Sequence, residues 1–297
     1  MKIRIGFEIS IDCSKETPLL LALSPHPSYG GQVIGSTRIR TEPAVPLEEY
    51  FDPFGNRRTR VAAPVGRLTL WSDSIVENDG APDPYDWNAR QHDIATLPVE
   101  TLHYLTASRY CEADELVDQA WLLFGETPSG WARVQAICNW VHNHLTFGYH
   151  FGRPTKTAVD VMRERTGVCR DFAHLAIALC RAMNIPARYA SGYLGDIGVP
   201  PASPDDFCAW FEAYLEGRWH TFDARYNTPR IGRVLMVHGL DAADGAMIIS
   251  FGKYDLAYFK VWTHQVDDAL SERELQDLLQ TRPMSPALTL APIQRRE

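Results

Sequence analysis

Apolar and polar side chains alternate from the first residues of the chain. Over residues 3–11 every second position is apolar (Ile3, Ile5, Phe7, Ile9, Ile11), the period of a half-buried strand. Residues 67–71 repeat the alternation, and clusters of Pro and Gly separate such runs. Asp52-Pro53-Phe54-Gly55-Asn56 has turn chemistry, and residues 78–86, with Gly80, Pro82 and Pro84, read as a loop. The first hundred residues therefore predict a small sandwich or barrel-like sheet.

After about residue 110 the period lengthens. Residues 115–124 and 157–165 predict helices, and 128–145 a stronger one. In that last segment Trp131, Val134, Ile137, Val141 and Leu145 recur at three- and four-residue steps, and Pro128 suits a first-turn position. A fourth helix starts near Cys169, with Phe172, Leu175, Ala176, Leu179, Cys180 and Met183 on one face. Asn184 can close it in a left-handed conformation, and Pro186 blocks its continuation. Strands follow at 188–194, Phe207–Leu215, 218–223 and 257–266, the middle two forming a hairpin around Glu216-Gly217. From about Gln280 the tail has no periodicity and is expected to be loose. The expected division is a β-rich domain over 1–105, an α+β core over 106–270 and a tail over 271–297.

Composition narrows the function classes. The chain has 297 residues, long enough to fold without disulfides or a structural metal. Its net charge of −8 argues against nucleic acid as a partner. The cluster Arg57, Arg58, Arg60 is too short for a binding stripe and reads as a solvated turn. No apolar run reaches membrane-spanning length, so no membrane partner is expected. The strand-like start does not resemble a signal peptide, which points to the cytoplasm. There the six cysteines (13, 111, 138, 169, 180, 208) should be reduced, and they contain no C-x-x-C pair.

One cysteine stands in a chemically suggestive place. Gly167 permits a sharp turn, and Cys169 then opens the fourth helix. The unpaired N–H groups and dipole of a helix start favour an anion there, so the thiol loses its proton more readily. A small apolar filler is the alternative reading of the same residue.

The segment Gly167-Val168-Cys169, then Asn184-Ile185-Pro186-Ala187-Arg188-Tyr189, then Ser191-Gly192-Tyr193, resembles the transglutaminase-like family of cysteine enzymes. So does the hairpin Asp206-Phe207-Cys208-Ala209-Trp210 with Trp219-His220-Thr221-Phe222-Asp223. The resemblance covers about residues 115–225. Tyr50-x-Asp52-x-Phe54-Gly55-Asn56 is similar to the β-rich domain preceding this core in bacterial members. The implied fold is papain-like α+β, a helix carrying the cysteine packed on an antiparallel sheet. The implied activity is attack on a protein or peptide amide through a thioester, with no cofactor, no metal and no calcium loop.

The family's triad is Cys-His-Asp. Cys169 matches the nucleophile and Asp223 the residue that orients the imidazole. The position of the histidine is held by Cys208, and a thiol with an ordinary pKa near 8.5 is a poor general base. A two-residue turn at Glu216-Gly217 would pair Leu215 with Arg218, putting Cys208, Trp210 and Asp223 on one side and His220 on the other. His174 lies about 140° around the helix from Cys169. His150 lies in a loop before the cysteine helix. Each of these three histidines is a candidate substitute base. Cys169 and Cys208 should be neighbours, free to form a disulfide, bind a soft metal with Asp223, or remain inert thiols.

Other residues near the motifs keep two readings each. Arg170 and Asp171 could tune the nucleophile, or form an ion pair on the helix surface. Trp131 or Trp140 could supply an oxyanion-stabilising indole, or simply pack. Trp210, Trp219 and Phe222 could line a cleft, or belong to the core. The basic stretch from Arg225 to Arg233 could cover the cleft and bind a carboxylate, or be a surface loop.

The leading expectation is a cysteine peptidase or amidase in which Cys169, Cys208 and Asp223 form the site. The alternatives are a pseudoenzyme that binds or assembles, and a Cys169–Cys208 thiol-redox protein.

Overall fold

The structure, a computed structural model, describes residues 1–201 and 205–281. The part of the expected loose tail beyond residue 281 lies outside the described residues. Six strands come first: β1 (Lys2–Cys13), β2 (Thr17–Leu21), β3 (Val33–Glu42), β4 (Leu47–Phe51), β5 (Arg57–Ala63) and β6 (Gly66–Glu77). The helical region holds α1 (Val117–Phe124), α2 (Trp131–His144), the short β7 (Thr146–Phe147), α3 (Ala158–Glu164), the short β8 (Thr166–Gly167) and α4 (Cys169–Ala182). Then come β9 (Ala187–Tyr193), β10 (Phe207–Leu215), β11 (Arg218–Phe222), β12 (Val234–Gly239), β13 (Ile248–Ser250), β14 (Asp255–Val266) and α5 (Glu272–Leu278).

Two four-stranded sheets, ordered β14-β1-β6-β3 and β13-β2-β5-β4, make the β-rich part. The alternation in β1 explains why they stack. Ile3, Ile5, Phe7, Ile9 and Ile11 are each at most 1% exposed and share one apolar core with Leu19, Leu21 and Val61 of the facing sheet. Two of the eight strands, β13 and β14, come from beyond residue 245, so the sheet pairing reaches across the expected boundary at 105/106.

The third sheet, β11-β10-β9-β12, carries the α+β core. The apolar stripe of α4 packs on β10 and β9, and α1, α2 and α3 flank the helix. Leu175, Ala176, Leu179, Cys180 and Met183 are fully buried, and each buried leucine contributes about 1.5–3 kcal/mol. Asn184 takes φ 61 and ends the helix, with Pro186 two residues on. The turn at Glu216-Gly217 has φ 45 and 80, the left-handed pair that a two-residue hairpin needs, and Leu215 pairs with Arg218.

Two local expectations are corrected. Pro128 lies outside α2, which begins at Trp131: Gly130 at φ 85 turns the chain there, and the Trp131 N–H donates to the Ala89 carbonyl at 2.9 Å. Arg57, Arg58 and Arg60 lie in β5 rather than in a solvated turn. The buried Arg58 donates to Asp52 at 2.9 Å and to the carbonyls of Ala246 and Asp244. Beside it, fully buried Asn56 donates to the His238 carbonyl at 2.7 Å and accepts the His238 N–H at 2.8 Å. The Asp52–Asn56 turn thus clasps β12, at the edge of the core sheet. Among the described residues no helix is long and apolar enough to cross a membrane.

Candidate active site

The position of Cys169 follows from the turn before it. Arg165 ends α3 at φ 57, and β8 then pairs in parallel with β7. A Cβ on Gly167 would lie 2.6 Å from the Asp171 Cβ, so only glycine lets the chain pass this closely. The Asp171 carboxylate accepts the Val168 N–H at 3.0 Å and fixes the first turn of α4. Asp171 is fully buried, which corrects the reading of Arg170–Asp171 as a surface pair: Arg170 donates to it at 3.1 Å and to the Arg153 carbonyl at 2.7 Å. Cys169 is left as the first residue of the helix, half-buried and facing the sheet edge.

That edge exists because β11 stops early. Its last residue, Phe222, pairs with Phe211, so residues 207–210 of β10 have β9 on one side and no β11 residue on the other. Cys169 comes up against this gap. The Cys208 side chain and the Ala209 N–H lie beside its sulfur, and the Cys208 thiol reaches the Ala209 carbonyl at 3.7 Å. The Cys208 hydrogen bond holds the Cys169 thiol below its ordinary value. Burial opposes the shift, the Arg225 guanidinium assists it, and Asp206 resists it. Cys208 moves the opposite way, raised well above the ordinary range by its hydrogen bond to Cys169 and by burial. The pair is therefore a thiolate-prone sulfur beside a proton-keeping one.

Arg225 stands over the pair. One guanidinium nitrogen is 3.9 Å from the Cys208 sulfur, and the group lies 3.8 Å over the Phe147 ring and 4.6 Å over Tyr226. Asp206 approaches from the entry of β10, on the same face as Cys208. Burial raises its carboxyl to about 6, against the hydrogen bonds from the Phe207 N–H and the Tyr149 hydroxyl and the nearby Arg225 charge. Asp206 was legible as two residues before Cys208 on one strand. Tyr149 carried no signal in the sequence.

Asp223 is 7% exposed and meets guanidinium and amide donors. It accepts the Arg225 and Tyr226 N–H groups at 2.9 and 3.0 Å and the Arg233 guanidinium at 2.8 Å. Arg233 also donates to Asp83 at 2.8 Å and covers Trp210 at 4.9 Å. Arg230 donates to Asp196 at 2.9 Å. Arg230 and Arg233 of the basic stretch are thus buried, and the carboxylates they bind are the protein's own.

The candidate histidines are engaged elsewhere. His220 pairs opposite Ala213, its ring bonded to the Leu215 carbonyl at 3.2 Å and edge-on to Trp131. His174 stacks on Tyr110 and accepts the Ala242 N–H at 3.1 Å. His150 is exposed and packs on Phe151. Trp131 packs on Tyr85 and Phe222, and Trp140 on Phe124 and His144. Trp219 packs on Tyr104 and Tyr214, and Phe222 on Phe211. Among the described residues no group of three or more His, Cys, Asp or Glu side chains has a metal-holding arrangement.

Residues 122–224 match the family model of the transglutaminase-like superfamily. A crystal structure of a candidate cysteine protease from Cytophaga hutchinsonii superposes with a TM-score of 0.79 at 29% identity, over 91% of this chain and 92% of that one. A protein of Mycobacterium leprae without an assigned function is 27% identical over 201 residues, 64% of this chain and 70% of its own length. Human kyphoscoliosis peptidase is 28% identical over 122 residues, which span 39% of this chain and 18% of that enzyme.

Proposed function

We propose that this chain, whose residues 122–224 match the model of the transglutaminase-like superfamily, is a thiol-dependent peptidase or amidase of that family acting on protein or peptide amides. The observation that carries the reading is Cys169 at the start of a buried helix, with the Cys208 thiol, the Ala209 N–H and the Arg225 cation close to its sulfur. Each of these contacts favours the thiolate, the reactive form. In this mechanism the Cys169 sulfur attacks the amide carbonyl, the amine departs with a proton, and water releases the acyl group from the thioester.

Without an imidazole, the proton falls to another group. Asp206 is the one whose carboxyl, at about 6, exchanges protons near neutral pH beside Cys169. It donates to the departing amine and accepts from the attacking water. Asp223 acts here through Arg233 and Arg225, holding the cationic side of the pocket in place. The six free thiols suit a reducing compartment, and the reading keeps the chain in the cytoplasm.

A second reading is favoured by one observation. The carboxylate that would orient an imidazole is already bound by Arg233, which suits a protein that keeps the cleft for binding without turnover. The two readings part on the reactivity of Cys169. Iodoacetamide labelling of Cys169, read by peptide mass across pH 5 to 10, should show a midpoint below the ordinary ~8.5. The same experiment on Cys208→His reports whether an imidazole adds anything. Labelling of the native protein only above that value, with a clear gain in the histidine variant, would establish the binding role instead.

A further inference from the structure

We propose that Cys169 and Cys208 form a peroxide-reactive pair: a hydroperoxide oxidises the Cys169 sulfur, and Cys208 closes on it as an intramolecular disulfide. Three features support it. Five of the six cysteines (13, 111, 138, 180 and 208) are buried, whereas Cys169 is half-buried, so an oxidant from solvent meets Cys169 first. The packing of α4 on β10 sets Cys208 beside that sulfur, so the second step needs only a short approach of two side chains. Arg225 sits 3.9 Å from the Cys208 sulfur, and its charge favours the anions that both steps pass through.

The chemistry balances. The Cys169 thiolate attacks one oxygen of the hydroperoxide, the O–O bond breaks, and the departing alkoxide or hydroxide takes a proton from solvent. Cys169 becomes a sulfenic acid, oxidised by two electrons. Cys208 loses its proton as its sulfur attacks Cys169. The S–S bond forms, the S–O bond breaks, and hydroxide leaves with that proton as water. Two equivalents of a small thiol return the electrons by exchange through a mixed disulfide. A histidine in place of Cys208 would leave the sulfenic acid with no resolving thiol, so the residue that departs from the family pattern is the one this chemistry requires. The pair uses the same nucleophile as the proposed amide chemistry but needs no amide, so the two are separable.

The test uses the reduced full chain and hydrogen peroxide at one to ten equivalents. The expected result is a fall of about 2 Da in intact mass, loss of two of the six thiols, a peptide linking Cys169 to Cys208, and recovery with dithiothreitol. Cys208→Ser and Cys208→Ala, checked for native circular dichroism, should stop at a dimedone-reactive product about 16 Da heavier and then over-oxidise. Retention of all six thiols, a bridge through any other cysteine, or identical products from wild type and both variants would overturn the proposal. A wild-type protein that alkylates rapidly below pH 7 yet keeps all six thiols after peroxide would retain its nucleophile and refute the disulfide alone.

Discussion

Arg225 and Asp206 set the charge felt by Cys169 from opposite signs. Removing the cation in Arg225→Met should move the midpoint of Cys169 alkylation up by about one pH unit. Asp206→Asn removes the anion and should move it down, while turnover of an amide substrate falls. A joint loss of labelling and turnover in Asp206→Asn would instead mark Asp206 as purely structural. Asp206 also links to stability. Its folded value of about 6 lies above the ~3.9 of an unfolded aspartate, so protonation favours the fold fully below pH ~4 and the contribution disappears as pH rises through 6. Asparagine mimics the protonated form. Asp206→Asn should therefore be close to wild type in thermal unfolding at pH 4 and exceed it at pH 7.5, by about 3 kcal/mol.

Among the elements, the turn into α4 and the early end of β11 position the site. Gly167→Ala places a Cβ 2.6 Å from the Asp171 Cβ and should cost about 1–3 kcal/mol, seen as a lower urea midpoint with an unchanged slope. Asn56→Ala should cost a comparable amount, because it strands the buried N–H and C=O of His238. Much of this level was legible in the chain. The β10–β11 register followed from a period of two and a Glu-Gly turn, and the end of α4 from Asn184 and Pro186. The start of α2 was not, because Gly130 and a distant carbonyl override the local preference of Pro128. The role of Arg233 was hidden as well. Asp223 lies 10 residues before it, but no spacing rule links a loop arginine to Asp83, a carboxylate 150 positions earlier.

On the scale of the whole molecule, β14 lies against β1 from Lys2–Val266 onward, and β13 lies against β2. The alternation in residues 3–11 announced a strand but could not announce its neighbour, since pairing partners are chosen by tertiary packing. A chain ending at residue 253 loses β14 and exposes one edge of β1 with the Trp262 and Val261 side chains gone from the core. It should be insoluble or lack a cooperative melt, whereas a chain ending at 281 should keep both. Equal melts for the two would show that the β14 pairing is dispensable. The same pairing has a consequence during synthesis. At the ~5–20 residues per second of a ribosome, β1 is made on the order of ten to fifty seconds before β14 emerges. Throughout that interval its edge lies open to any other nascent strand, and only the late arrival of β14 closes it.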